Sequence, residues 1–412
     1  MDSILLKKNT ESFQKKIPLA SSKSESNRAL IINALCGFEG ELENLASARD
    51  TQTMIRLLKE TGEMADVLDA GTTMRFLTSY FAAKGQQKLM TGTPRMQERP
   101  IGILVDALRT IGVEIDYQKN DGYPPHLIKG FTEQKSAEVS IRGDVSSQYI
   151  SSLLMIAPTL PKGLKINLVG EVGSIPYITM TINLMESFGV KVEADWSKNV
   201  LSVAPQSYSP IKYKIESDWS GASYWYSVVA LAEHADAEIE LLGLKENSLQ
   251  GDSAIVEIMS QLGVKSTFTD NGVLLTKIEP KSSFEWDFTN CPDLTQTVAV
   301  VNVMKRIPAT YTGIESLKIK ETDRVFALQT ELQKLGGELV EVEKDHKYEI
   351  HLTDIPQEIP VIATYEDHRM AMAFAPAAMI REVVIEEPGV VVKSYPEFWD
   401  HLSEVIEQET NG

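Results

Sequence analysis

Seven short segments of this 412-residue chain collect residue types that bind anions and move protons. SSKSESNRA (21–29) places Lys23, Ser24 and Arg28 at the mouth of an apolar run, with Ser24 and Arg28 on one helical face. DAGTTMR (69–75) puts Gly71 ahead of a second such run, where a missing side chain lets a ligand approach the backbone. TGTPRMQERPIG (91–102) supplies Arg99, and GDVSSQY (143–149) supplies Ser146, Ser147 and Gln148. KIKETDR (318–324) carries Lys320, Glu321 and Arg324, YEDHRMAMAFA (365–375) carries Arg369, and VVKSYPEFW (391–399) carries Lys393. GSIPYI adds Ser174 and Tyr177, and NCPDLTQT adds Asp293. Arginine offers two-point recognition of carboxylates and phosphates, and lysine a mobile point charge. A carboxylate beside a reacting carbon can take or return a proton. Taken singly, each has a plainer use as a helix cap, a turn or a solvated face; their number and order carry the signal.

The chain needs such concentrated sites because its balance is the wrong sign for anions. Its 58 acidic residues outnumber 40 lysines and arginines, a net charge of −18. That disfavours broad binding to nucleic acid or anionic membrane, which needs a basic face, so an anionic ligand must be held by a local pocket. The chain is 43% apolar and 24% charged, as in globular proteins. Two domains are expected at this length. Cys36 and Cys291 form no CxxC pair, which fits a reducing compartment. Neither a signal-type start nor a membrane-length apolar run is legible, and a cytoplasmic location is expected. His126, His234, His346, His351, His368 and His401 show no metal-ligand spacing.

The positioning elements emerge as a repeat. The segments 103–115, 182–192, 254–266 and 326–339 have helical apolar spacing and close on Gly112, Gly189, Gly263 and Gly336, at intervals of 77, 74 and 73. A second helix type, polar at its head and apolar after it, begins at 71, 146, 220, 293 and 367, at intervals of 75, 74, 73 and 74. SKSESNRALIINAL, from Ser22, makes a sixth. Strand-like stretches such as 163–170, 237–243 and 348–354 lie between them, so each unit reads as strands plus two helices in about 75 residues. Helix N-termini carry unpaired N–H groups and partial positive charge. Six polar heads could therefore capture an anion-rich ligand without a basic exterior.

In order from about residue 18 to 400, the seven segments resemble the 5-enolpyruvylshikimate-3-phosphate synthase family. The resemblance implies an α/β (α+β) two-domain enolpyruvyl transferase fold. Each domain holds three repeated βαβαββ units, with helix N-termini facing an interdomain cleft. It implies one lobe over 18–216 and another over 1–17 plus 217–412, with a two-stranded hinge near 17–19 and 215–218. The short interval from Ser24 to Gly71 leaves the first unit incomplete, to be finished by distant chain. The implied reaction joins the enolpyruvyl group of phosphoenolpyruvate to the 5-hydroxyl of shikimate 3-phosphate through a tetrahedral adduct, releasing phosphate. No cofactor or metal is implied; the partners are these two metabolites, with no nucleic acid or membrane, and the chain acts as a monomer.

Carried over residue by residue, the pattern assigns shikimate 3-phosphate to Lys23, Ser24, Arg28, Ser146, Ser147, Gln148, Ser174, Asp293, Ser316 and Lys320. It assigns phosphoenolpyruvate to Lys23, Gly71, Arg99, Gln148, Arg324, Arg369 and Lys393. Asp293 is the implied proton acceptor and Glu321 the donor to C3, with Lys23 completing the catalytic set. Tyr177 is expected beside the ring, and Arg75 and Arg95 in a supporting shell. The chain departs from the pattern at Asp69 and Phe76, where the family often has asparagine and proline, and at Ser316, where many members have asparagine. The nearest rival is the sister transferase acting on UDP-N-acetylglucosamine, which typically has Lys-Asn where this chain has Lys23-Ser24. A non-catalytic anion-binding relative would be expected to lack Lys23, Asp293 or Glu321, and all three are present.

Overall fold

The computed structural model describes residues 2–144 and 146–411. Met1 and Gly412, the expected lobe ends, and Val145 of the GDVSSQY segment lie outside the described residues. The chain forms two compact units, Lys23–Ile215 and Met1–Ser22 with Glu216–Gly412.

The strand–helix alternation forces one supersecondary unit to recur. In residues 64–130, strand Met64–Asp66 leads through helix Gly71–Ala83 to the parallel strand Lys88–Thr91. Helix Gly102–Ile111 follows, then the antiparallel pair Glu114–Tyr117 and His126–Gly130. The helix stops at Gly112 because its φ of 122° disfavours other residues and a Cβ would lie 2.4 Å from the Glu133 carbonyl oxygen. Residues 138–203 repeat the pattern, as do 284–352. The resulting four-stranded sheets share one strand order.

The ends of the repeats depart from chain order. Strand Glu41–Glu43 pairs in parallel with Lys212–Lys214, so the first repeat is closed by chain from far downstream. Conversely, Gln14–Pro18 joins the sheet of Glu238–Leu242, and Ser3–Leu6 pairs with both Val383–Glu386 and Gln408–Asn411. Pro18 is still paired, opposite Leu242.

The second-type helices form the core of each unit. Lys23–Leu35, Gly71–Ala83 and Ser147–Ile156 pack against one another, and so do Trp219–Leu231, Thr295–Met304 and His368–Phe374. A helix apolar on every side has to be enclosed, and all the residues from Gly221 to Leu231 are buried. The polar heads lie just before or in the first turn: Ser146 accepts from the Gln148 N–H, Asp218 from Gly221 and Asp367 from Arg369. Among the described residues, no helix is long and apolar enough to cross a membrane.

Candidate active site

In the Lys23–Ile215 unit, the helix starts hold a mostly cationic and hydroxyl set. Lys23 Nζ lies 3.2 Å from Asp50 Oδ2. Arg28, one turn on, is buried; its Nη1 donates to the Ser24 carbonyl at 2.9 Å and its Nε to Thr181 Oγ1 at 2.7 Å. Its Nη2 donates to Ser151 Oγ at 3.2 Å and to the Tyr177 carbonyl at 3.4 Å. The guanidinium carbon sits 5.3 Å from the centre of the Phe76 ring and 5.9 Å from that of Tyr177. Burial pulls its pKa down to about 10, which leaves it charged at neutral pH. Phe76, one of the departures from the family pattern, thus forms one wall of the Arg28 pocket.

Gly71 lets two guanidinium tips approach the backbone closely: an added Cβ would lie 2.5 Å from Arg75 Nη1 and 2.7 Å from Arg99 Nη2. Arg75 fixes the Gln148 amide by donating to its Oε1 at 3.2 Å, and Gln148 Nε2 donates to Thr72 Oγ1 at 3.0 Å. Arg99 donates to the Asp69 carbonyl at 3.4 Å. The extra charge at Asp69 is met by Arg49, whose Nη2 lies 2.7 and 2.9 Å from the two carboxylate oxygens. Ser147 is buried in the first turn of its helix, and Ser174 precedes helix Ile175–Ser187 with a left-handed φ of 53°. Arg95 lies at the surface against Glu98, 3.0 Å away.

In the other unit, one buried guanidinium gathers the carboxylates. Arg324, 1% exposed, opens helix Arg324–Glu331. Its Nε donates to Asp367 Oδ2 at 2.7 Å and its Nη2 to Asp367 Oδ1 at 3.3 Å. Nη2 also donates to Glu321 Oε2 at 2.7 Å, and Nη1 to Asp293 Oδ1 at 3.0 Å. Asp293, on the 3₁₀ turn Pro292–Leu294, further accepts from Arg369 Nη2 at 2.9 Å and faces Lys320 Nζ at 3.7 Å. Burial opposes its ionisation, but Arg369, Lys320 and Arg324 together hold its pKa well below the carboxylate range. Lys393 Nζ donates to the Glu366 carbonyl at 2.8 Å. Ser316 is exposed on the 3₁₀ turn Glu315–Ile319.

Several partners carried no local sequence signal. Asp50, Ser151 and Thr181 hold Lys23 and Arg28 from other helices. Asp367 stood inside a quoted segment, and its place at a helix start could have marked it as a cap; its second role, on Arg324, joins residues 43 apart. Asp252 and Ser220 approach Arg369 in the same way, from distant chain.

Comparisons with known proteins identify the family. The family profile described as EPSP synthase (3-phosphoshikimate 1-carboxyvinyltransferase) matches residues 7–69 and 64–402. A 3-phosphoshikimate 1-carboxyvinyltransferase of Bacteroides fragilis is 48% identical over 390 residues, covering 94% of each chain. One from Cellvibrio japonicus is 36% identical over 417 residues, covering 95% of this chain and 96% of its own. A solved EPSP synthase from Acinetobacter baumannii superposes with a TM-score of 0.78 at 18% identity, covering 100% of both chains, and so shares the fold. With profile, relatives and fold in agreement, this chain belongs to the EPSP synthase family.

Proposed function

We propose that this chain transfers the enolpyruvyl group of phosphoenolpyruvate to the 5-hydroxyl of shikimate 3-phosphate, as a cytoplasmic monomer. One observation carries the reading most directly: Asp293 and Glu321 both accept from the same Arg324 guanidinium, 3.0 and 2.7 Å away, with Arg369 and Lys320 beside Asp293. Two carboxylates beside one cation cluster can serve as acid and base where an anion binds.

In this reading Lys23, Gly71, Arg99, Gln148, Arg324, Arg369 and Lys393 take phosphoenolpyruvate. Lys23, Ser24, Arg28, Ser146, Ser147, Gln148, Ser174, Asp293, Ser316 and Lys320 take shikimate 3-phosphate. Exclusion of water protects the adduct once both metabolites are bound. A carboxylate held far below its ordinary pKa is a weak base. Incoming phosphate and carboxylate groups compete for Arg369, Arg324 and Lys320, and every contact they withdraw from Asp293 raises its basicity. Asp293 then accepts the 5-hydroxyl proton as the oxygen bonds to C2, while Glu321 protonates C3. Phosphate then leaves with the proton held by Asp293, and Glu321 recovers a proton from C3, which completes the cycle. Four of the five Arg324 N–H groups already donate to carboxylates. Arg324 therefore serves phosphoenolpyruvate through the remaining Nη1 proton or by exchanging Glu321 for the ligand.

The test is phosphate release from phosphoenolpyruvate with shikimate 3-phosphate, run beside UDP-N-acetylglucosamine. Release only with the former is expected. Release with the sugar nucleotide alone would move the chain to the sister activity, and release with neither would make it a binding protein.

A further inference from the structure

The cluster around Asp293 reaches a carboxylate that the chemistry above leaves unused. Asp252, on the 3₁₀ turn Gly251–Ala254, is 2% exposed. Its Oδ2 accepts from Ser220 Oγ, and its Oδ1 has no partner among the described residues. Ser220 is the second residue of helix Trp219–Leu231, and its Oγ lies 3.5 Å from Arg369 Nη2. That same nitrogen donates to Asp293 Oδ2 at 2.9 Å. A continuous line thus runs from Asp252 through Ser220 and Arg369 to Asp293.

The neighbouring residue holds this line in register. Gln250 Oε1 accepts from the Trp219 N–H at 3.0 Å, and its Nε2 donates to the Ser217 carbonyl at 2.8 Å. The turn bearing Asp252 is thereby tied to the start of the helix bearing Ser220. A carboxylate so enclosed is costly, since burial penalises its charge and Asp293 repels it. Those two effects push its pKa up to about 6, against the pull of Arg369 and Ser220; Asp218 adds a further negative charge. Cys291 lies close enough to feel the Asp252 charge. Packing alone would favour a neutral side chain there.

We infer that Asp252 is a positioning residue for the reaction: it takes the Ser220 hydroxyl proton in a hydrogen bond, turning that oxygen's lone pairs toward Arg369 and setting the guanidinium's angle toward phosphoenolpyruvate. An ionised carboxylate only accepts, so the hydroxyl has one orientation; an amide could present either its oxygen or its NH₂. This role rests on Arg369 acting as a phosphoenolpyruvate ligand.

The experiment compares Asp252→Asn, Ser220→Ala and Ser220→Thr with the wild-type chain in steady-state kinetics and thermal unfolding. Asp252→Asn and Ser220→Ala are expected to raise KM for phosphoenolpyruvate about tenfold, the effect of one hydrogen bond to a charged group. KM for shikimate 3-phosphate should stay within about twofold. Ser220→Thr, which keeps the hydroxyl, should restore most of the loss, and Asp252→Asn should unfold no earlier than wild type. An unmoved phosphoenolpyruvate KM in both variants overturns the inference, as does an equal rise for both substrates with a lower unfolding temperature. A wild-type chain that does not turn over the two metabolites overturns the reaction assignment and this inference with it; wild-type turnover with unmoved variants overturns the inference alone.

Discussion

At the scale of single residues, each ionisable group is defined by its neighbours. Asp293 is ionised because three cations outweigh its burial. Asp252 is pushed the other way by burial and by the Asp293 charge. Glu321→Gln removes a proton carrier while keeping an acceptor for Arg324, so turnover should fall by about 10²–10⁴-fold with shikimate 3-phosphate still bound. Asp293→Asn should do the same. Stopped-flow turnover and equilibrium binding check this together, and near-normal turnover in both variants removes the acid–base assignment. Gly71→Ala tests geometry instead of charge. The new methyl would displace the tips of Arg75 and Arg99, which are flexible and can yield. The expected outcome is an unchanged unfolding temperature with KM for phosphoenolpyruvate raised about tenfold, a shift of about 1.4 kcal/mol. A lower unfolding temperature with unaltered KM would mean that Gly71 serves only the fold.

At the scale of elements, the proposed ligands Arg324 and Arg369 stand on helix starts that are tied together from behind. Tyr365 and Glu366 both take left-handed backbone, with φ of 54° and 55°, immediately before Asp367. Such conformations persist only where the surroundings demand them. Glu331, at the far end of the Arg324 helix and 1% exposed, supplies that demand. It accepts from the Ala363 N–H at 3.1 Å, Tyr365 Oη at 2.9 Å and Lys334 Nζ at 2.7 Å. One carboxylate therefore couples the Arg324 helix to the turn that presents Asp367, Arg369 and the Glu366 carbonyl under Lys393. Glu331→Ala leaves half-buried donors unpaired and should cost about 1–3 kcal/mol of stability. Denaturant titration measures that loss, and a change below about 0.5 kcal/mol would mean that other contacts hold the turn.

At the scale of the whole molecule, the two units carry opposite responses to acid. In the Lys23–Ile215 unit, His126 is fully buried with Nε2 3.1 Å from Thr78 Oγ1, and burial together with Arg109 lowers its pKa from 6.5 to about 4. The folded state keeps it neutral while the unfolded chain protonates it. Its contribution is thus present above pH 6.5 and lost as pH falls through about 4, amounting to about 3 kcal/mol. Asp252 in the other unit has a raised folded pKa. Its contribution is present below 3.8 and lost as pH rises through about 6, also about 3 kcal/mol at most. Unfolding temperatures measured from pH 4 to 8 should show His126→Gln with a flatter acid limb than wild type. Asp252→Asn should gain stability at pH 7.5 and lose that advantage below pH 4. A wild-type acid limb in His126→Gln would show that another group controls acid unfolding.

Much of this was legible in the sequence because it is local or periodic. Glycine stops and polar helix heads recur near every 75 residues, and an N-terminal cap needs only its own next few residues, so the repeats and their polar heads can be read from the chain alone. The family resemblance added proposed roles for Lys23, Asp293, Glu321 and Arg369. What the tertiary structure decided is which charges meet. Asp69 is compensated by Arg49, Phe76 walls the Arg28 pocket, Arg324 is surrounded by three carboxylates, and strand Glu41–Glu43 finds its partner at Lys212–Lys214. Coulomb energy and desolvation depend on distance in space and on burial, and neither is written in the spacing of residues along a chain.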